Sequence, residues 1–323
     1  MRRVLVRSLL PLVALVVLGA IAMRLVAGVN DIRSLPAIER PWLIAPATIA
    51  LFGTLVTYAW LWRTIVFAID RARPSAVDSF GAFTCSWLGR YVPTSAPYVA
   101  GKIVLGERLG HSRGALVASV VYENVLVVLV GGGVSAAVLS IMLRQSGAWY
   151  LWPAVSAACA ATILLIMSPS SQRLITAFAR GVPRLATLPR YQLSPTELVR
   201  ATAITSVSVV LNAAAFTLLL ASFVQLSVSD AIIAAAAFNL AGAAGVAAVP
   251  LPSGIVVREA VLISILQLMV PVDVAVAAAV LVRFISIPVD LLLGAAGALH
   301  WRLSAGRAAS ERVAPAPALR DAA

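Results

Sequence analysis

Four ionisable residues sit inside or beside long apolar runs, where each charge needs a partner: Lys102, Glu123, Glu259 and Arg283. Glu123 lies in VASVVYENVLVVL and Arg283 in VAAAVLVRFISIPVDLLLG. Counted as helical rise from run starts at Ala115 and Val274, they fall about 12 and 13.5 Å deep, close to the centre of a bilayer core about 30 Å thick. A charge at that depth costs roughly 2.5–3.5 kcal/mol on the lenient insertion scale, so both are expected to face protein or a watery cavity and to share one site. Arginine cannot shed its proton to relieve burial, and its planar fork matches a phosphate or a carboxylate. Glu123 can be neutralised by a proton or by a bond to Asn124. A purely structural ion pair of Arg283 with Glu259 or Glu123 stays open as the alternative.

Lys102 and Glu259 belong to two related stretches, VPTSAPYVAGKIVL from Val92 to Leu105 and VPLPSGIVVREAVL from Val249 to Leu262. Each reads as a proline-broken turn followed by a helix start. Nine residues after the leading prolines, Pro93 and Pro250, stand Lys102 and Glu259, with opposite signs at matching places. Pro252 and Gly254 shape the second turn, and Arg90 and Tyr98 flank the first as candidates for lining a headgroup path. Arg258 points to another helix face than Glu259 and is read as an interface anchor. As plain alternatives, Lys102 can snorkel to an interface and Glu259 can serve as a helix-start charge.

The elements that must position these residues are membrane spans. With 61% hydrophobic and 12% charged residues, the chain has too few polar groups to coat a soluble globule. Six apolar runs suit a bilayer core: Ser8–Val29, Trp42–Phe67, Ala115–Leu143, Trp149–Met167, Ala201–Val224 and Val274–Leu299. The start resembles a secretory signal, but its apolar run continues to Val29 and more spans follow, so it is read as the first span. Two further stretches, about Ala76–Arg113 and Ser229–Met269, are apolar but broken by proline, glycine and charge. The fold class expected is therefore an all-α polytopic membrane protein, with about six spanning helices and two proline-broken re-entrant or short-helix hairpins. Residues 1–302 form one transmembrane domain and 303–323 a disordered cytoplasmic tail. If each broken stretch forms two complete short spans, the total is ten with the same loop sides.

The formal charge of +12 does not point to nucleic acid, because the arginines lie in loops between apolar runs and not in a basic domain. Arg2, Arg3 and Arg7, then Arg63, Arg71 and Arg73, then Arg173 to Arg200, then Arg302 to Arg320 mark four cytoplasmic segments by the positive-inside rule. Both termini are then cytoplasmic, in the plasma membrane. That topology threads the two broken stretches from opposite faces as an inverted pseudo-repeat, the sequence sign of an alternating-access carrier. Broken helix ends expose N–H and C=O groups that only protein, water or substrate can satisfy.

No cofactor or metal is called for. Cys85 and Cys159 make no framework, and His111 and His300 have no ligand partner at helical spacing. Gly131, Gly132 and Gly133 lack the flanking pattern of a nucleotide loop and read as close helix packing. Asn212 and Asn239 read as interhelical hydrogen-bond glue.

PLPSGIVVREAVL followed by the arginine-bearing span resembles the carboxy-terminal signature of the lysylphosphatidylglycerol synthase transmembrane region, the flippase-like membrane family. Pro250, Pro252, Gly254 and Glu259 match its proline–glycine–glutamate element and Arg283 its later arginine. Pro93, Lys102 and Glu123 are similar to its earlier element, although Thr94, Ser95 and Ala96 replace the usual glycines and Val256 stands where a glycine is common. The resemblance covers roughly residues 50–300. Larger family members add a soluble aminoacyl transferase, for which the sequence up to Ala323 has no room. It implies translocation of a lipid or lipid-linked molecule without aminoacylation. The expected partners are membrane lipids, with a separately encoded lipid-modifying enzyme as a further candidate. An intramembrane polyprenyl-phosphate-dependent transferase is the second class, but its acidic candidates Asp31, Glu39 and Asp230 are scattered. A membrane partner that positions a separate synthase is the third.

Overall fold

The computed structural model describes residues 36–91, 96–142, 193–247 and 255–313. The expected spans Ser8–Val29 and Trp149–Met167, and the turn residues Pro93, Pro250, Pro252 and Gly254, lie outside these described residues. Within them the fold is an all-α polytopic membrane fold, and no strand occurs among the described residues.

After a short 3-10 turn, α1 runs over Ile44–Ile69, apolar along nearly its whole length. The first broken stretch becomes α2 (Ala76–Trp87), a 3-10 turn (Leu88–Tyr91) and α3 (Ala96–Arg108). Ser75 caps α2 by accepting a 3.0 Å hydrogen bond from the Asp78 amide, and Asp78 adds a negative charge to the positive end of the helix dipole. Next come α4 (Arg113–Leu126), a π-helical segment (Val127–Gly133) and α5 (Val134–Met142), which together make one span-length rod. Beyond residue 192, α6 (Pro195–Ala221) opens with Pro195 in its first turn and a capping box between Ser194 and Glu197. The second broken stretch becomes α7 (Val228–Ala247) and α8 (Ile255–Leu266), and α9 (Val272–Val313) closes the described chain.

The described arms of the two stretches differ in length. The helices α2, α3 and α8 have 12, 13 and 12 residues, about 18–20 Å at 1.5 Å per residue, too short for a 30 Å core. The first hairpin is antiparallel: a Cβ on Gly101 would sit 3.2 Å from Ser86, and one on Gly89 would sit 2.6 Å from the Tyr98 amide. By contrast, α7 is long and apolar enough to cross a membrane, as are four further helical segments among the described residues. Of the two arrangements the sequence allows, a re-entrant arm and a complete span, α7 fits the second by length and composition. The uninterrupted run before the prolines is in fact 20 residues long. Helix α9 also runs on to Val313, so the segment expected as tail from residue 303 is helical up to that point.

Packing joins the two repeats. The N-terminal end of α1 and the C-terminal end of α6 meet α7, α8 and α9 in one apolar core, where Phe216 and Phe238 stack at 4.4 Å. A second core holds α1, α2 and α4 together around Trp62, Phe83, Trp87 and Leu116. The π-helical segment lets α7 approach closely, since a Cβ on Gly132 would lie only 2.7 Å from that of Ala243. The asparagines act as the sequence suggests: Asn212 donates to Asn239 Oδ1 at 2.9 Å, and Asn239 donates to the Val209 carbonyl at 3.1 Å.

Candidate functional site: a charged cavity between the hairpins

Lys102 projects from the middle of α3 into a cage of aromatic rings. Its ammonium lies 4.5 Å from the ring centres of Phe83 and of Tyr98, and 5.9 Å from that of Trp62. Ring faces stabilise a cation but give it no hydrogen-bond acceptor. Glu123 on α4 supplies that acceptor: Lys102 Nζ donates to Glu123 Oε2, and the Tyr98 hydroxyl donates to Oε1 at 3.0 Å. The pair is sealed, with side-chain exposures of 0% and 5%.

The second repeat builds the same pair with the charges exchanged. Arg283 on α9 donates from Nε to Glu259 Oε1 on α8 at 2.8 Å, and its Nη2 lies 2.7 Å from the same oxygen. Here the side chains are 25% and 21% exposed, so this pair is open where its counterpart is closed. In both repeats the ionised residue after the proline turn pairs with the ionised residue of the next span, 21 and 24 positions later.

Between these pairs lies a cavity of about 280 Å³. Its wall takes Arg90 and Tyr91 from the turn of the first hairpin, Tyr98 from α3, Glu123 and Asn124 from α4, Arg258 from α8, and Arg283 and Asp290 from α9. The Tyr91 hydroxyl donates to Asp290 Oδ2 at 2.5 Å, tying the hairpin turn of one repeat to the long helix of the other. Asp290 follows Pro288, whose missing N–H removes a helical hydrogen bond and loosens α9 at that level. Glu123 and Asn124 lie in the last turn of α4, one turn ahead of the π-helical segment, a local distortion that recurs at functional sites.

The sequence-predicted residues fall into three groups. Glu123, Arg283, Arg90 and Tyr98 meet at the cavity, so the two mid-span charges face a common interior. Lys102 and Glu259 are not on the cavity wall; each stands behind it as the partner of the charge that is. Lys102 is completely buried and turned towards Glu123. Pro93, Pro250, Pro252 and Gly254 lie outside the described residues.

Sequence reasoning missed Arg258, Tyr91 and Asp290. Arg258, read as an interface anchor, lies 4.7 Å over the Phe238 ring and lines the cavity. Asp290 had a usable signal: it stands seven residues after Arg283 in the same span, two helical turns along the same face. Among the described residues, no three His, Cys, Asp or Glu side chains converge as a metal site.

Comparison with known proteins gives one family. A family model described as "Lysylphosphatidylglycerol synthase TM region" matches residues 8–294. A search of curated proteins finds no match.

Proposed function

This chain belongs to the lysylphosphatidylglycerol synthase TM region family, and from that premise we propose that it moves a lipid or lipid-linked molecule with an anionic, phosphate-bearing headgroup between bilayer leaflets. One observation carries the reading: a cavity among membrane-type helices is walled by ionised groups from both hairpins and from the spans that follow them. Lipid-facing helices have no use for an arginine unless protein, water or substrate meets it. The cavity's 280 Å³ is near the ~300 Å³ lower end for ligand pockets, enough for a headgroup whose chains stay in the bilayer. On this reading the protein is a carrier and no bond is made or broken. The arginine-rich loops favour cytoplasmic termini in the plasma membrane.

Reconstitution in liposomes with lipids labelled on different headgroups tests the reading, with leaflet exchange measured for the wild type, Glu123→Gln and Arg283→Ala. Faster exchange with the wild type and slower exchange with both variants is the expected result. Equal exchange with and without protein for every lipid sinks it. Exchange unchanged in both variants keeps translocation and discards this cavity as its route.

A further inference from the structure

The cavity's charges do not all cancel, and the remainder describes what should enter. Lys102 is matched by Glu123, and Arg283 by Glu259. That leaves Arg90 and Arg258 without a carboxylate partner among the described residues, facing the one remaining acid on the wall, Asp290. Two unmatched cations against one anion leave a surplus of one positive charge. The segments joining the hairpin arms, 92–95 and 248–254, contain no ionisable residue that would alter this balance.

Both unmatched guanidiniums sit over aromatic rings. Arg90 lies 4.0 Å over Trp87 and Arg258 4.7 Å over Phe238. A ring beneath a guanidinium supplies no hydrogen-bond acceptor, and among the described residues the buried Nε of Arg258 has no hydrogen-bond partner. Arg258 stands within electrostatic range of Arg283 and Arg90, and of Glu259, whose hydrogen-bonded partner is Arg283; an anion between the guanidiniums relieves their repulsion. One of these forks comes from each hairpin, so a ligand bridging them touches both repeats. The rest of the polar wall, Thr54, Tyr58, Asn124, Asn212 and Ser286, carries hydroxyls and amides without charge.

We infer that the headgroup carries a single negative charge, on a phosphodiester clamped between Arg90 and Arg258, and that the remainder of the headgroup is an uncharged, hydroxyl-bearing moiety. The inference rests on the translocation reading above and narrows its substrate. A zwitterionic headgroup adds no net charge and leaves the surplus in place. A doubly charged phosphomonoester overshoots it.

The test uses the full-length protein in phosphatidylcholine liposomes carrying traces of fluorescent phosphatidylglycerol, phosphatidylcholine or phosphatidic acid. Exchange of phosphatidylglycerol is expected to be the fastest. Arg90→Gln and Arg258→Gln should each slow it about tenfold, the scale of losing one charge-assisted hydrogen bond. Arg258→Lys, which keeps the charge but not the fork, should fall between. Asp290→Asn keeps an acceptor for Tyr91 while raising the surplus by one, and should shift preference towards phosphatidic acid at alkaline pH. Phosphatidylcholine crossing as fast as phosphatidylglycerol, or Asp290→Asn leaving the order of lipids unchanged, overturns the charge assignment while translocation stands. No exchange of any lipid overturns translocation itself, and this inference with it.

Discussion

The guanidinium of Arg283 lies on one oxygen of Glu259, with Nε at 2.8 Å and Nη2 at 2.7 Å from Oε1, while the buried Oε2 has no partner among the described residues. Both contacts converge on a single oxygen, so this is not the parallel fork in which each nitrogen takes its own acceptor. A pair held in this way on the edge of a cavity can exchange its arginine contacts for those of a ligand. That sets it apart from Lys102 and Glu123, which are closed in by rings.

Removing Arg283 should leave Glu259 without its hydrogen-bonded counter-charge. Arg283→Leu is expected to destabilise the protein by about 2–3 kcal/mol, below the ~3–5 kcal/mol of a fully buried pair because the cavity admits water. The double variant Arg283→Leu with Glu259→Leu should recover most of that loss. Thermal unfolding in detergent reads both, and a double variant no better than the single one would show that the pair is not the source.

The sealed pair should be less forgiving. Glu123→Gln leaves the Lys102 ammonium among Phe83, Tyr98 and Trp62 with no anion, and a loss of roughly 3–5 kcal/mol is expected. Changing Lys102→Met alongside removes the stranded charge and should restore much of the stability. If Glu123→Gln alone unfolds at the wild-type temperature, the ammonium has another counter-charge.

Close approach of α7 to the π-helical segment depends on Gly132. Gly132→Val pushes a branched side chain against Ala243, whose Cβ would lie 2.7 Å from the new Cβ, and should cost about 1–3 kcal/mol. Ala243→Gly in the same chain should relieve part of it. Unchanged stability in Gly132→Val would mean that the two helices part at little cost.

Acid should weaken the joint between α1 and the loop before α4, which lies outside the spans. Asp70 accepts from the Ser112 amide at 2.7 Å and its hydroxyl at 2.9 Å, and His111 Nδ1 lies 3.9 Å away. Burial pushes His111 below its ordinary 6.5, with Asp70 opposing and Arg73 adding to the fall. Burial raises the Asp70 carboxyl, but hydrogen bonds from Ser112, Arg71 and Ala72 outweigh it and hold the group below 3.8. An unfolded chain protonates His111 below 6.5 while the folded chain resists, so its stability is full above that pH and is lost as pH falls towards the folded value. The Asp70 contribution is present above 3.8 and fades only below it. Unfolding temperature should therefore drop as the pH falls below 6.5, and the drop should flatten in His111→Gln. Identical pH profiles for the two proteins would assign the loss to another group.

What the sequence alone determined follows from local rules. The apolar runs had to be spans because no polar surface remains to face water. Prolines had to break the two hairpins because they cannot continue a helix hydrogen-bond ladder. Glu123 and Arg283 had to face an interior because lipid does not solvate charge. The exchanged signs of Lys102 and Glu259 were likewise legible from matching spacings. Partner choice was not: nothing local to Glu123 distinguishes Lys102, 21 positions away, from Arg283 as its counter-charge, and only the fold of α3 against α4 decides it. Arg258 reads as an interface anchor in one dimension, because its role depends on the Phe238 ring beneath it and on the cavity in front. Tyr91 and Asp290 meet across 199 positions. Periodicity reports which face of a helix is apolar, but which charges meet across the interior depends on how the helices cross, and that is a property of the whole packed chain.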